Sequence, residues 1–263
     1  DIGRALQPSW AWISTPIESR WLVSTNEMIA ISVGYVFVMG FIQFLMRFVS
    51  KPLPINFLTI PHNFFMTVYS FYAFVGTVAI FVENWANQGF ELTLPLCDAQ
   101  EKLKVGMDWW LYSFYLSKFL EYFDSLFLIL KKKSLVPPDS SQMFLHVFHH
   151  ATTASIVWAT WLFPLSIFWI GPITNSFVHT IMHGYYFLAE MNWVDRSFGG
   201  KYITPIQLVQ FLICMFALGY EFFNYKVCGT DLRVALYALV LYFVFFVLFV
   251  KVYIDKKNER SAS

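Results

Sequence analysis

Three imidazoles fall within five residues at His146, His149 and His150, inside the apolar run Phe144-Leu145-His146-Val147-Phe148-His149-His150, and two more follow at His179 and His183. Residues three and four apart share a helix face, so the first three form one patch. Asn175, His179 and His183 make a second stripe at four-residue spacing. Lys118, Glu121 and Asp124 recur every third residue on another segment, and Gln207 and Gln210 do so on a fourth. Ionisable groups in membrane-hydrophobic runs are costly and mark functional sites by default. A neutral imidazole can act as base, nucleophile or metal ligand.

The elements that position these groups are membrane helices. Of the 263 residues 57% are hydrophobic and only 13% charged, too few charges to cover a soluble surface. Seven stretches could each cross ~30 Å of hydrocarbon at ~20 residues. They are 26–49, 61–85, 109–130, 141–162, 164–190, 204–225 and 231–253. A backbone in lipid must satisfy itself, which points to an all-α integral membrane bundle of seven transmembrane helices in one polytopic domain, 1–263. The net charge of +1 gives no reason to expect nucleic acid. No cleavable signal peptide is visible, and the first residue is not Met.

Orientation follows the Lys and Arg residues. One side carries six: Arg4, Arg20, Lys102, Lys104, Lys226 and Arg233. The other carries eleven: Arg47, Lys51, Lys131, Lys132, Lys133, Arg196, Lys201, Lys251, Lys256, Lys257 and Arg260. The tail 254–263 is therefore expected in the cytosol and the segment 1–25 in the lumen, while Lys118 lies within a span. Cys97 and Cys228 both fall on the lumenal side, so a Cys97–Cys228 disulfide is expected, with two free thiols as the alternative. Cys214 is mid-span and reads as packing. Trp85, Trp109, Trp110 and Trp193, at span edges, read as an interfacial belt.

Depth, counted at 1.5 Å per residue, gathers the polar groups. His146 to His150 lie ~9–15 Å from the cytosolic end of their span, and His183 to His179 ~10–16 Å. Glu121 and Asp124 lie ~9–14 Å deep, and Gln207 and Gln210 ~5–9 Å. The spans alternate in direction, so a common layer implies a polar chamber open to the cytosol and closed by aromatics at the lumenal end. Lys118, Glu121 and Asp124 could equally be a structural ion-pair network. Gln207 and Gln210 could be inter-helix glue. His62, beside Asn63 at the start of the second span, reads as interfacial, with a substrate-entry role as the alternative.

The segments Lys118-Phe-Leu-Glu121-Tyr-Phe-Asp124, His146-Val-Phe-His149-His150, Asn175-Ser-Phe-Val-His179-Thr-Ile-Met182-His183-Gly-Tyr185-Tyr186 and Thr204-Pro-Ile-Gln207-Leu-Val-Gln210 occur in that order. Together they closely resemble the ELO family of very-long-chain fatty acid elongases. The resemblance implies an endoplasmic reticulum membrane protein of seven helices, six of them enclosing a substrate tunnel. It also implies an acyltransferase, the very-long-chain 3-oxoacyl-CoA synthase of elongation, acting on acyl-CoA and malonyl-CoA with no metal or redox cofactor. Other elongation-cycle enzymes or a second copy would be its protein partners.

By the same resemblance His149 is the nucleophile. Asn175 and His179 would stabilise an enolate oxygen, and His146 and His150 would hold tautomers or relay protons. Lys118, Glu121, Asp124, Gln207, Gln210 and Tyr185 would contact substrate. Two positions depart from the pattern. Ser125 stands where many members have Thr, and His183 where many have Tyr, which adds His183 to the catalytic candidates. A competing mechanism keeps both thioesters bound and uses a histidine only as base. Membrane di-iron desaturases also carry an H-x-x-H-H box but need about eight histidines; a transporter would need the repeat pairing that this chain lacks.

Overall fold

Ser24-Thr25-Asn26-Glu27 has the S-x-x-E pattern that closes a helix N-terminus. In the computed structural model Ser24 Oγ accepts from Glu27 N at 3.3 Å, and Glu27 Oε2 accepts from Ser24 N at 3.1 Å. Helix α1 (Thr25–Leu45) starts there. The structure describes residues 17–195 and 199–262, with Ala5 and Gln7. Arg4 and Arg196, used above for orientation, lie outside the described residues, as does the side chain of Arg260.

Seven further α-helices follow among the described residues: α2 (Asn56–Asn87), α3 (Asp108–Leu120), α4 (Tyr122–Leu130), α5 (Ser141–Leu162), α6 (Ile170–Glu190), α7 (Thr204–Cys228) and α8 (Leu232–Ala262). None of the described residues forms a strand. Among the described residues four stretches are long and apolar enough to cross a membrane: Thr25–Phe48, Asn56–Asn87, Lys201–Cys228 and Leu232–Asn258. The rods between them, α3 to α6, carry Lys118, Glu121, Asp124 and the five clustered histidines, which lower their hydropathy.

Several expected boundaries move: α2 starts at Asn56 rather than 61, and α8 runs to Ala262 rather than 253. The span 109–130 is not one helix but breaks at Glu121, where the Asp124 N–H reaches the Glu121 carbonyl at 3.1 Å in a tightened three-residue turn. The span expected from 164 becomes helical only at Ile170, because the preceding segment bonds to its neighbours instead. The Pro164 carbonyl accepts from Asp231 N at 2.8 Å, Ser166 Oγ donates to the Cys228 carbonyl at 2.8 Å, and Ile167 N donates to Glu221 Oε1 at 3.2 Å.

That end of the bundle is tied further. Cys97 and Cys228, 131 residues apart, form a disulfide; Cys214 is a free, buried thiol. Buried Asn84 donates to the Leu103 and Val105 carbonyls, each at 2.9 Å, and buried Asp98 accepts from Lys102 N and Leu103 N. Asp231 caps α8 beside Arg233, whose guanidinium holds its carboxyl down to about 2.

The core fills this same end with aromatic and aliphatic side chains from α2, α3, α5, α7 and α8 and from the segment leading into α6. Trp110 belongs to it at 1% exposure, not to an interfacial belt, and Trp109 is also buried. The reason is local: Gly76 on α2 leaves room for the Trp110 indole, which an added Cβ would overlap. Gly76→Ala should therefore lower stability by about 1–3 kcal/mol through overpacking. Gly34→Ala, where nothing lies within 4 Å, should leave it unchanged or slightly raised. Thermal unfolding of the two variants in detergent checks the contrast.

Candidate active site

Ser140 caps α5 through its hydroxyl, which accepts from Met143 N at 3.3 Å, and the helix then presents its histidines inward. The rings of His146 and His150 lie 4.3 Å apart, and those of His149 and His150 5.4 Å. His146 Nε2 shares a 2.8 Å hydrogen bond with Ser125 Oγ on α4, which shares another of 2.8 Å with Tyr35 OH on α1. This line fixes the His146 ring from behind. The His149 nitrogens have no such tether; its ring packs on Phe245 and Phe249 of α8, at 5.0 and 6.4 Å.

The second stripe meets the Lys118 group. Lys118 Nζ donates to Glu121 Oε1 at 2.6 Å and to Asn175 Oδ1 at 2.8 Å, and lies 4.3 Å above the Phe114 ring. An ammonium only donates, so it fixes the Asn175 amide with Oδ1 toward Lys118 and leaves the Nδ2 protons for the chamber. His179 Nδ1 is 3.2 Å from Glu121 Oε1, yet both it and Glu121 Oε2 lack an aligned hydrogen bond. We read the contact as electrostatic, because the distance is short but the angle is poor. Lys118 and Glu121 are 2% and 1% exposed and hold Asn175 and His179 from behind.

Asp124 faces the chamber and pairs with His62 Nε2 of α2 at 3.1 Å. His183 is wholly buried beside the chamber, with Nδ1 3.1 Å from Asn63 Oδ1. Sequence reasoning passed over Asn63 and Tyr35 as site residues and left His62 at the interface. A polar Asn beside a His in an apolar helix was a usable signal for Asn63; Tyr35 gave none.

The chamber has a volume of about 490 Å³. Its walls come from α2, α4, α5, α6, α7 and α8, and include all three α5 histidines, Asn175, His179 and Tyr185. Asp124, Gln207 and Gln210 line it too, and Gln207 Nε2 reaches Met182 Sδ at 3.7 Å. It opens between the helix ends that bear Lys131, Glu190, Thr204 and Lys256, opposite the disulfide end. Lys131 Nζ bonds Glu190 Oε1 at 2.5 Å across that mouth, and Lys132 Nζ bonds the Met46 and Val49 carbonyls.

A deeper void of about 40 Å³ runs toward the closed end, walled by Phe114, Trp161, Phe168, Tyr242 and Phe245. His149, Asn175, Gln210 and Phe211 line both spaces. Polar chamber and apolar void therefore meet at His149. Among the described residues no three His, Cys, Asp or Glu side chains gather as a metal-holding group.

This arrangement places the His149 imidazole between a polar mouth, where Lys131, Glu190 and Lys256 stand, and an apolar dead end, with the Asn175 amide on the wall of both spaces. The comparisons agree in kind. The chain is 31% identical over 235 residues to fatty acid elongase sre1 of Dictyostelium discoideum, covering 88% of this chain and 83% of that protein. It is 27% identical over 241 residues to fatty acid elongase A of the same organism, covering 89% and 84%. With very long chain fatty acid elongase 7 of Rattus norvegicus it shares 29% over 253 residues, covering 91% and 84%. The model of the ELO (GNS1/SUR4) family matches residues 21–263, and the chain belongs to that family.

Proposed function

We propose that this enzyme of fatty acid elongation catalyses the condensing step. A long-chain acyl-CoA and malonyl-CoA would give a 3-oxoacyl-CoA two carbons longer, with CO2 and CoA released and no cofactor beyond the thioesters. The observation that carries this reading is the place of His149, where the polar chamber meets the apolar void. An acyl tail entering the void puts its thioester carbon beside that imidazole. His149 then attacks, CoA leaves, and the acyl group waits on the ring while malonyl-CoA enters. The Asn175 Nδ2 protons and His179 face the enolate oxygen that forms as CO2 departs. Fixed donors aimed at developing charge in a water-poor site supply a large share of catalysis.

The seven rods, counting α3 and α4 as one, would each span the bilayer, with α1 outside the six that enclose the tunnel. The void of about 40 Å³ is far smaller than the chamber. A long tail thus requires Phe245, Phe168 or Tyr242 to turn aside. Lys131 and Lys256 at the mouth suit the phosphates of CoA. The run Lys131 to Lys133 and the basic end of α8 favour a cytosolic mouth and C-terminus in the endoplasmic reticulum membrane.

Purified protein with labelled malonyl-CoA and a panel of acyl-CoAs should yield labelled 3-oxoacyl-CoA two carbons longer. Folded protein that makes no such product from any acyl-CoA would overturn the proposal.

A further inference from the structure

With its charges written out, the condensation is not proton-neutral. In the first half, a His149 nitrogen bonds the acyl carbon, the C–S bond breaks, and the ring N–H proton leaves with the thiolate as CoA thiol. In the second half the malonyl C–C bond breaks, CO2 departs, and its electron pair remains as an enolate. The enolate carbon bonds the acyl carbon and the C–N bond breaks, leaving an imidazolate that must take up one proton. At that moment the thioester derived from malonyl-CoA would occupy the chamber, with its nucleotide portion at the mouth, and would hinder access of bulk water to the ring.

Beside the chamber stands a line of groups that these steps leave unused. Asp124 forms part of the wall and bonds His62 Nε2 at 3.1 Å. The His62 ring centre is 6.1 Å from that of His183, which is 5.6 Å from that of His179. His62 lies only six residues into α2, about 9 Å along its axis, and keeps 12% exposure. His183 is fully buried, and its Nδ1 faces Asn63 Oδ1. That oxygen only accepts, so Nδ1 carries the proton and Nε2 is a bare acceptor. Nε2 has no partner, a destabilising state for a buried polar atom and one that an apolar residue would avoid.

We propose that His62 and His183, held by Asp124 and Asn63, form a lateral proton relay to His179. From His179, which lines the same chamber as His149, the proton would pass to the imidazolate that each condensation leaves on His149. The relay rests on the condensing reaction proposed above, whose proton demand is the same if the acyl group passes directly between thioesters. Ring centres 5.6–6.1 Å apart leave nitrogens separated by a ring rotation or one bridging water. The titratable groups around the line are Asp124 and Glu121 on and before α4, and His179 and Tyr186 on α6. Neither His62 nor His183 touches substrate in this scheme; both are positioning residues that act through His179.

The test is His62→Gln, which retains a hydrogen-bonding group for Asp124 but cannot carry a proton. Condensation turnover should fall roughly a hundredfold, more steeply as pH rises, with KM for acyl-CoA unchanged. Added imidazole buffer should restore it. CoA thiol released from acyl-CoA alone, which takes up no proton, should match wild type. His183→Phe should share the pH and rescue behaviour. Wild-type turnover and pH profile in His62→Gln, or a loss that imidazole does not mend, would overturn the relay alone. Absence of a CoA burst in the wild type would remove the acyl-imidazole and leave imidazole rescue to decide the relay. No condensation by the wild type would overturn the function and the relay with it.

Discussion

His149→Ala should lower 3-oxoacyl-CoA formation by roughly 10⁴-fold or more, the scale seen when a covalent nucleophile is removed. His149 is the one histidine that lines both spaces, and no other imidazole can take its place without moving. His146 is tethered through Ser125 to Tyr35, and His150 lies against Tyr35 and Tyr122. The readout is label from malonyl-CoA in the two-carbon-longer product. Intact-protein mass after acyl-CoA alone should show one acyl group on wild type and none on the variant. Since His149 packs on Phe245, His149→Gln controls for a collapsed cavity and should be as inactive as Ala while unfolding at the wild-type temperature. Turnover within tenfold of wild type in either variant would remove His149 from the chemistry.

The second large effect is on stability. Glu121→Ala leaves the Lys118 ammonium buried with no carboxylate bonded to it, held by the Asn175 oxygen and the Phe114 ring face. Breaking one side of a buried pair typically costs 3–5 kcal/mol, because the remaining charge is uncompensated. We expect a loss of about that size in denaturant unfolding in detergent. The double variant Lys118→Met/Glu121→Leu should recover most of it, since apolar replacement of a whole buried pair is often neutral. The same variant should still condense poorly, because Asn175 loses the ammonium that orients it and His179 loses its carboxylate. Wild-type activity in the double variant would make the pair purely structural.

Much of this was legible in the sequence because helix period and bilayer thickness are strong constraints. Charge asymmetry placed Cys97 and Cys228 on one side, and the structure joins them. The three-and-four spacing put the α5 histidines, Asn175 and His179 around one space. Spacing does not tell which neighbour stands behind a side chain. His183 shares a stripe with His179, yet it turns toward Asn63 and is buried beside the chamber. Asp124 shares a face with Lys118 and Glu121, yet it pairs with His62 across the helix gap. The break at Glu121 had no signal either, since no Gly or Pro marks it. Trp110 was misplaced for a related reason: the glycine that admits it is 34 positions away in the sequence.

Among the described helices the four strongly apolar ones are the first two and the last two, and the more polar rods lie between them. That order sets a problem for biosynthesis. When Lys118, Glu121 and the histidines leave the ribosome, only α1 and α2 are available as hydrophobic company. The walls from α7 and α8 arrive last. A product cut short before Thr204 would leave these charged and imidazole groups without two of the walls that enclose them, a costly state within a bilayer. The chamber around His149 is complete only when α8 is in place.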